Sequence, residues 1–332
     1  MTTLSDAYRA ALSSAVLLDR SDRVRIAIFG PDRAKFLHNL TTNDVKRLTI
    51  GHGLEAFVTT LQGKTLGYIT VLALPDHILV RADPGSEPLI LPHFRKFGFF
   101  DEVEIVEPGE PAFEYHLAGP ASEAILSQVA AELPPAGELR HILTTIAEKP
   151  VLIVRESPLG LPGLSFSGDR AHAPQILEAI HRAQGSEDLS ILDPTSAEVL
   201  RIEAGTPVFA RDITADNLPQ EVARDSRAIN FVKGCYLGQE TVARIDALGH
   251  VNKTLRGLQC EGTADDLPPP GSSIEADGKG VGTITSSAFS PRTGGVVALA
   301  YLRTRVEKAG TDVSVSFGDA RRAAVVVDLP MR

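Results

Sequence analysis

The strongest constraint on the fold is a change of pattern near residue 251 of this 332-residue chain. Beyond it, short runs rich in apolar residues are separated by turn signals such as Asp277-Gly278 and Thr293-Gly294-Gly295. The runs cover residues 254–260, 272–275, 280–285, 296–302, 312–316 and 323–327. Strands of this length at this spacing are typical of a small barrel or sandwich. We therefore expect residues 251–332 to form a separate small domain, either a β-barrel or a β-sandwich.

Before that point, strand and helix patterns follow each other. Apolar residues alternate over residues 24–28, which predicts a half-buried strand, and Gly30-Pro31-Asp32 then opens a helix with Phe36, Leu37 and Leu40 on its apolar side. Two β-rich runs are joined by Pro75-Asp76. The runs, a weaker helix and a further strand cover residues 67–74, 77–81, 87–97 and 102–106. This order predicts an α+β domain over residues 1–110.

A similar order of elements recurs over residues 111–250, which we interpret as a second α+β domain. Strands are predicted at residues 113–117, 141–146 and 151–155, and helices at residues 121–132, 173–184 and 195–204. Asp193-Pro194 precedes the last helix and Gly205 is placed to end it. No sequence repeat is visible, so any duplication is structural only.

Charge and composition exclude several classes of function. With 33 Lys plus Arg against 42 Asp plus Glu, the net charge is −9, which argues against broad binding to duplex DNA. No apolar run approaches the roughly 20 residues of a membrane helix, and the N-terminus does not resemble a signal peptide. We therefore expect a cytoplasmic protein without membrane attachment. Two cysteines, Cys235 and Cys260, are too few for a disulfide framework or a four-thiolate site, and no metal site is predicted.

Two glycine-containing motifs fail on inspection. Gly63-Lys64-Thr65 is similar to the end of a phosphate-binding loop, but Val58 stands where the first glycine of that loop is required. Gly51-His52-Gly53 does not follow a clear strand and open a helix, as a dinucleotide site requires. Neither motif predicts a nucleotide-binding protein.

The most informative segment covers residues 231–244. Gly234 permits an unusual backbone angle beside Cys235, and Lys233 places a cation near the thiol, which would favour the thiolate. Gly238 is followed by Gln239-Glu240, a plausible helix start. These features predict a reactive thiol. The alternative is a small buried core cysteine, since unpaired cysteines are among the most buried residues.

The eight residues from Lys233 to Glu240, KGCYLGQE, resemble the signature of the YgfZ family. This family comprises folate-binding proteins of iron–sulfur cluster maintenance and is a branch of the aminomethyltransferase (glycine cleavage T-protein) superfamily. The signature also contains Gly234, Tyr236, Gly238, Gln239 and Glu240. Other segments resemble family motifs in the expected order: residues 36–45, Gln62-Gly63-Lys64, residues 201–205 with Pro207, Leu218-Pro219-Gln220 and Asn252-Lys253.

The resemblance implies an aminomethyltransferase-like folate-binding fold, with two interleaved α+β domains and a C-terminal small β-barrel. It implies tetrahydrofolate or a derivative as cofactor, and iron–sulfur client or assembly proteins as partners, tRNA-modifying enzymes among the clients. Cys235 is then the candidate functional thiol, assisted by Lys233.

The resemblance also implies four folate contacts, and three of them (Phe209, Lys253 and Glu203) have a simpler alternative. Phe209 is placed to line the folate channel and Lys253 to supply a cation, while Asn43 and Glu203 are weaker candidates. The alternatives are a core phenylalanine, a solvated lysine and a helix-end carboxylate.

The sequence departs from the family in ways that keep other functions open. The chain has no tryptophan, so pterin stacking would fall to Phe or Tyr. Residues 155–163, RESPLGLPG, stand where aminomethyltransferases carry a GYTGE-like segment. The catalytic carboxylate of those enzymes has no convincing equivalent here, although Asp83 and Glu87 are candidates for a nearby position. One-carbon transfer to tetrahydrofolate is therefore the second hypothesis, and a non-catalytic folate-responsive module is the third.

Overall fold

The computed structural model describes residues 6–107, 112–185, 190–249 and 251–331. Its strands form two open sheets and one closed barrel. The predicted α+β architecture with a C-terminal small β-barrel is confirmed.

The first sheet is entirely antiparallel and has the order β3-β4-β5-β2-β6. Its strands are β2 (Val24–Phe29), β3 (Gly53–Thr59), β4 (Thr65–Ala73), β5 (Ile78–Ala82) and β6 (Glu104–Val106). Helices α2 (Arg33–Leu40) and α3 (Glu87–Phe97) pack on this sheet, where Phe36 and Phe94 meet edge to face with ring centres 5.7 Å apart. The sequence pattern missed β3, because its first three residues lie in a glycine-rich turn region that is only half buried.

The second sheet draws on both predicted α+β segments. Its order is β11-β1-β7-β10-β9-β8. The strands are β1 (Val16–Asp19), β7 (Ala112–Ala118), β8 (His141–Ile146), β9 (Lys149–Arg155), β10 (Gly163–Asp169) and β11 (Ser190–Ile191). Since β1 pairs antiparallel with β7, the N-terminal segment crosses into the second sheet, and the two units are interleaved. The boundaries at residues 110 and 250 remain predictions.

The remaining helices are α1 (Asp6–Ser13), α4 (Ser122–Leu126), α5 (Ala173–Gln184), α6 (Pro194–Ala204), α7 (Asp225–Ala228) and α8 (Gln239–Leu248). Helix α6 begins and ends as its capping residues predict. The Asp193 side chain accepts a hydrogen bond from Ser196 N (2.9 Å), and Gly205 is left-handed (φ +68°).

The predicted helix over residues 121–132 is wrong in extent, since α4 ends at Leu126. After it the chain turns back to the second sheet, where Ala131 N donates to Thr145 O (3.0 Å). Pro134-Pro135 follows immediately, so a longer helix is also blocked at its far end.

The barrel closes in the order β12-β15-β14-β13-β16-β17. Its strands are β12 (Lys253–Cys260), β13 (Ser273–Ala276), β14 (Lys279–Ser290), β15 (Gly295–Arg303), β16 (Asp312–Phe317) and β17 (Ala320–Val327). All six predicted strands are present. Strand β14 is longer than predicted and continues past an irregularity between Ile284 and Ser286. The barrel packs on α6 through Leu200 and Leu255.

In the part of the chain that the structure describes, no helix is both long enough and apolar enough to cross a lipid bilayer.

Candidate functional site

The signature segment wraps around the C-terminal end of α2 and is tied to it by backbone hydrogen bonds. Leu237 N donates to Asn39 O (2.8 Å), and Asn230 N donates to Thr42 O (2.9 Å). From the first sheet, Thr59 Oγ1 donates to Leu237 O (2.6 Å). The conformation of the loop is therefore set by the first α+β unit.

Lys233 is the central anchor of this loop. Its Nζ donates to three carbonyl oxygens: His38 O (2.6 Å), Thr41 O (2.5 Å) and Asn43 O (2.9 Å). These groups lie at the C-terminal end of α2, where a helix favours a cation. Only 6% of Lys233 is exposed, and Nζ lies 4.7 Å from the Tyr236 ring centre. Lys233 therefore holds α2 and the loop together.

The protonation of Lys233 is set by opposing influences. Burial lowers the pKa of Lys233 to about 7, whereas the three carbonyl acceptors use every N–H of the charged form. Because all three N–H groups of the Lys233 ammonium are donated to these carbonyls, none is left to donate to the Cys235 thiol. The geometry therefore does not support the expectation that Lys233 acts on this thiol.

The two glycines of the signature have different roles. Gly238 is left-handed (φ +86°) and immediately precedes α8, whose first turn contains Gln239 and Glu240. A Cβ on Gly238 would lie 2.9 Å from Gly63 Cα, within the turn between β3 and β4. Gly234 is not left-handed, and a Cβ there would meet His38 Nε2 at an ordinary 3.7 Å. The unusual backbone angle predicted at Gly234 is therefore wrong and occurs at Gly238.

Cys235 is exposed and lies on a cleft of about 680 Å³, which we call the signature cleft. This position overturns the alternative of a buried core cysteine. The apolar wall of the cleft is formed by Phe36, Leu40, Leu61 and Phe97, and its polar side includes Asn39, Asp101, Gln239 and Glu240. The signature cleft thus offers a thiol between an apolar wall and two carboxylates.

A second candidate site is a central cavity of about 70 Å³ where the two sheets meet. Its charged wall includes Arg20, Arg23, Asp83, Glu156, Arg224 and Arg227. These residues lie next to the ends of separate strands, directly before α7 and within α7. The sequence did not predict that they converge, because no spacing along the chain relates them.

A buried ion cluster forms the floor of the central cavity. Arg81 Nη2 lies 2.8 Å from Glu156 Oε2, and Arg23 Nη1 lies 3.0 Å from Glu114 Oε1. Burial alone would raise the pKa of Glu156, but Arg81, Arg23 and Arg20 hold it well below its usual range. Arg23 Nε is buried and has no hydrogen-bond partner in the structure. Because Arg23 lines the cavity, the floor contains one N–H donor that no described residue accepts.

The mouth of the cavity is closed by a second set of ion pairs. Arg227 Nη2 lies 2.7 Å from Glu55 Oε1 and 3.0 Å from Glu138 Oε1, and the Tyr68 hydroxyl donates to Glu55. Tyr68 is the aromatic residue on the wall, and sequence reasoning missed it. Its position in a strand next to Gly67 gave no signal of its orientation.

Asp83 also lines the cavity, and its Oδ2 accepts a hydrogen bond from Phe209 N (3.0 Å). Phe209 itself is buried in a cluster with Phe57 and Ile213. The side chain of Phe209 therefore packs behind the wall, and its backbone orients the Asp83 carboxylate. Glu87, the other candidate carboxylate, is exposed at the start of α3.

The three other predicted contacts lie apart from the cavity wall. Asn43 Nδ2 donates to Glu55 O (2.8 Å) and Arg227 O (3.0 Å). Asn43 therefore stabilises the backbone of two residues at the cavity mouth and does not line the cavity itself. Glu203 accepts from Tyr8 Oη (2.9 Å), at the contact of α6 with α1 and the barrel. Lys253 Nζ lies 4.9 Å from the Tyr301 ring centre, on a separate cleft beside the barrel.

Two interleaved α+β units around a central cavity, followed by a closed six-stranded barrel, define the class of protein. Residues 2–232 match the family model of the GCVT N-terminal domain, and residues 253–331 match that of the glycine cleavage T-protein C-terminal barrel domain. The chain belongs to this family.

The proteins similar to this chain include a putative transferase and aminomethyltransferases. The chain is 28% identical over 313 residues to a chloroplastic putative transferase of Arabidopsis thaliana, covering 93% of this chain and 70% of the relative. It is 27% identical over 333 residues to an aminomethyltransferase of Streptomyces avermitilis, and the match covers 98% of this chain and 88% of that relative. The aminomethyltransferase T of the glycine cleavage system from Bartonella henselae has the same fold, with a TM-score of 0.86 at 21% identity over 98% of this chain and 88% of that structure. Since one relative is chloroplastic, a cytoplasmic location remains a prediction.

Proposed function

We propose that this chain binds tetrahydrofolate or a derivative in the central cavity and assists assembly or repair of iron–sulfur clusters through Cys235. The observation that carries the proposal is the exposed thiol of an intact KGCYLGQE segment, fixed in a cleft of its own by the buried Lys233. The assignment to the YgfZ branch is part of the proposal.

The chemistry of the central cavity fits a folate. A pterin needs acceptors for its edge and a flat surface for its ring, and its glutamate tail needs a cation. Asp83 and Glu156 supply carboxylates, Tyr68 supplies an aromatic surface, and Arg224 and Arg227 supply cations near the mouth. The volume of about 70 Å³ is smaller than a ligand site of this kind requires. Binding therefore requires the ion pairs at the mouth to separate.

The cysteines limit what the chain does with a cluster. Cys260 is buried in the barrel, and burial raises its pKa to about 12, so Cys235 is the accessible thiol of the two. Iron–sulfur clusters are usually held by four thiolates. Cys235 would therefore act together with ligands of a client or assembly protein.

The folate part is tested by calorimetric titration of tetrahydrofolate into the wild-type protein and two variants. Arg224→Gln removes a cation of the cavity that takes no part in the closing ion pairs of Arg227, and it is expected to weaken binding about tenfold, as loss of a charge-assisted hydrogen bond does. Arg182→Gln, on the exposed face of α5, is the matched control. Absence of binding to the wild-type protein would reject this part of the proposal.

The thiol part is tested by complementation of a strain that lacks the protein. Cys235→Ala is expected to leave iron–sulfur enzymes, including tRNA-modifying ones, at the low activity of the deletion strain. Cys260→Ser is the control for a thiol buried in the barrel. Full activity with Cys235→Ala would reject the role of this thiol.

One observation favours a second function, transfer of the carbon of an aminomethyl donor, which is already at the oxidation level of formaldehyde, to tetrahydrofolate with release of ammonia and of the protonated carrier. Asp83 lines the central cavity and its carboxylate is oriented by Phe209 N–H, as a proton-accepting group requires. Folate-dependent formation of 5,10-methylenetetrahydrofolate that is lost in Asp83→Asn would support this function. No product across a panel of amine donors would count against it.

A further inference from the structure

A cleft of about 340 Å³ lies between α7, the end of α8 and the first barrel strand. It is separate from both sites described above. Asp225 and Asp246 line it together with Gln220, and its apolar side includes Phe231, Ile245 and Val251. We call it the acidic cleft.

Within the described part of the chain, neither aspartate of the acidic cleft forms an ion pair with a cation. Asp225 Oδ1 is buried and has no hydrogen-bond partner in the structure. Burial and the charge of Asp246 raise the pKa of Asp225 to about 6. Arg256 also lines the cleft, but Glu307 engages it, with Nη2 3.1 Å from Oε2 and Nε donating to Glu307 O (3.2 Å). A repelling pair of carboxylates therefore remains.

Gln220 adds an independent acceptor to this pair. Its Nε2 donates to Val242 O (2.7 Å), which fixes the orientation of the amide. Only 7% of the residue is exposed, and its Oε1 is buried without a hydrogen-bond partner among the described residues. A buried acceptor without a donor is unfavourable, so a donor supplied by a ligand would stabilise it.

A primary ammonium group matches these acceptors in charge and number. It carries one positive charge and three N–H donors, while Asp225, Asp246 and Gln220 Oε1 supply three acceptors. The apolar side of the cleft provides a surface for an alkyl chain. A metal ion matches less well, because the described residues contain no group of three or more His, Cys, Asp or Glu that could hold one.

We propose that the acidic cleft binds a small organic amine, with its ammonium group between Asp225, Asp246 and Gln220 and its alkyl chain against Phe231. The proposal does not rest on folate binding or on the Cys235 thiol, since the acidic cleft shares no wall residue with the central cavity or the signature cleft.

Calorimetric titration with butylamine at pH 8 tests this proposal, with sodium chloride of equal ionic strength and magnesium chloride as comparisons. Wild-type protein is expected to bind butylamine, and Asp225→Asn is expected to weaken binding at least about tenfold, through loss of a charge-assisted hydrogen bond. Asp319→Asn, an exposed position in a barrel turn, is the matched control and should bind as the wild type does. Because Asp225→Asn removes an unpaired buried charge, a folding defect is not expected to cause the loss.

Three results would overturn the proposal. The first is a heat of butylamine titration no larger than that of sodium chloride, and the second is an equal loss of butylamine affinity in Asp225→Asn and Asp319→Asn. The third is binding of magnesium that depends on Asp225, without binding of butylamine. The last result would indicate a metal site.

Discussion

Gly63 and Gly238 meet backbone to backbone where the turn between β3 and β4 crosses the start of α8. Both are left-handed, with φ of +75° and +86°. A Cβ on Gly63 would lie 2.8 Å from the Thr241 Cβ, and one on Gly238 would lie 2.9 Å from Gly63 Cα. Gly63 of the apparent phosphate loop and Gly238 of the signature therefore form one contact. This contact positions Leu61 at the signature cleft.

Gly238→Ala is expected to lower the free energy of unfolding by about 3 kcal/mol. A left-handed residue with a Cβ costs about 1–2 kcal/mol, and forced overlap adds about 1–3 kcal/mol. Gly249→Ala is the control, because Gly249 ends the same helix with φ +77° and a Cβ there would meet nothing within 4 Å. It should lose only about 1 kcal/mol. Guanidinium unfolding measures both. Equal losses would show that the contact with Gly63 does not matter.

The two thiols are expected to differ sharply in reactivity. Cys235 is exposed and Cys260 is buried in the barrel, where burial raises its pKa to about 12. Because the thiolate is the reacting form, a disulfide reagent should modify one thiol per native chain quickly and the second only on unfolding. Cys235→Ala should abolish the fast phase and Cys260→Ser should preserve it. A fast phase that persists in Cys235→Ala would contradict the structure.

Asp225 gives a stability effect with a defined pH dependence. Its folded pKa of about 6 lies above the ordinary value of about 3.9. The folded state therefore holds this proton more tightly between pH 4 and pH 6, and the stability so gained is lost as pH rises through 6. The full difference between these pKa values is worth about 3 kcal/mol, but Asp225 is only half-buried, so solvent screening reduces its effect. The free energy of unfolding of Asp225→Asn is therefore expected to be about 1 kcal/mol higher than that of wild type at pH 8 and equal to it at pH 4. Urea unfolding at both pH values measures this, and a variant less stable at pH 8 would refute it.

Capping and turn residues in the sequence predicted those helices and strands that begin and end at such residues. Helix α6 follows from the Asp193 cap and the left-handed Gly205, and the barrel follows from its turns. The sequence also singled out Cys235, which the structure places at an exposed position. The backbone geometry of the signature was not predicted, because sequence alone does not say which of Gly234 and Gly238 meets another backbone.

The central cavity was beyond sequence reasoning for a different reason. Tyr68, Asp83 and Glu156 converge only when two sheets built from interleaved segments are assembled. Strand β1 is four residues long, too short for a periodic signal, yet it carries the N-terminal segment into the second sheet. Contacts of this kind depend on topology, which a local pattern does not record.

The ion cluster below the cavity is expected to be sensitive to the loss of one carboxylate. Glu156→Gln leaves Arg81 and Arg23 buried with one carboxylate fewer, and breaking a buried pair costs about 3–5 kcal/mol. Glu123→Gln is the control. The Glu123 side chain is exposed, so its ion pair with Arg155 contributes about 1 kcal/mol or less to stability.

The pH dependence of that loss identifies its cause. The arginines hold the pKa of Glu156 below its ordinary value, so its contribution to stability is present above about pH 4.3 and is lost as pH falls towards the folded pKa. The difference between wild type and Glu156→Gln should therefore shrink when urea unfolding is repeated from pH 6 down to pH 3. A difference that stays constant over this range would show that Glu156 contributes through packing, or through hydrogen bonds that do not require its charge, such as the one it accepts from Ser165 Oγ (2.5 Å).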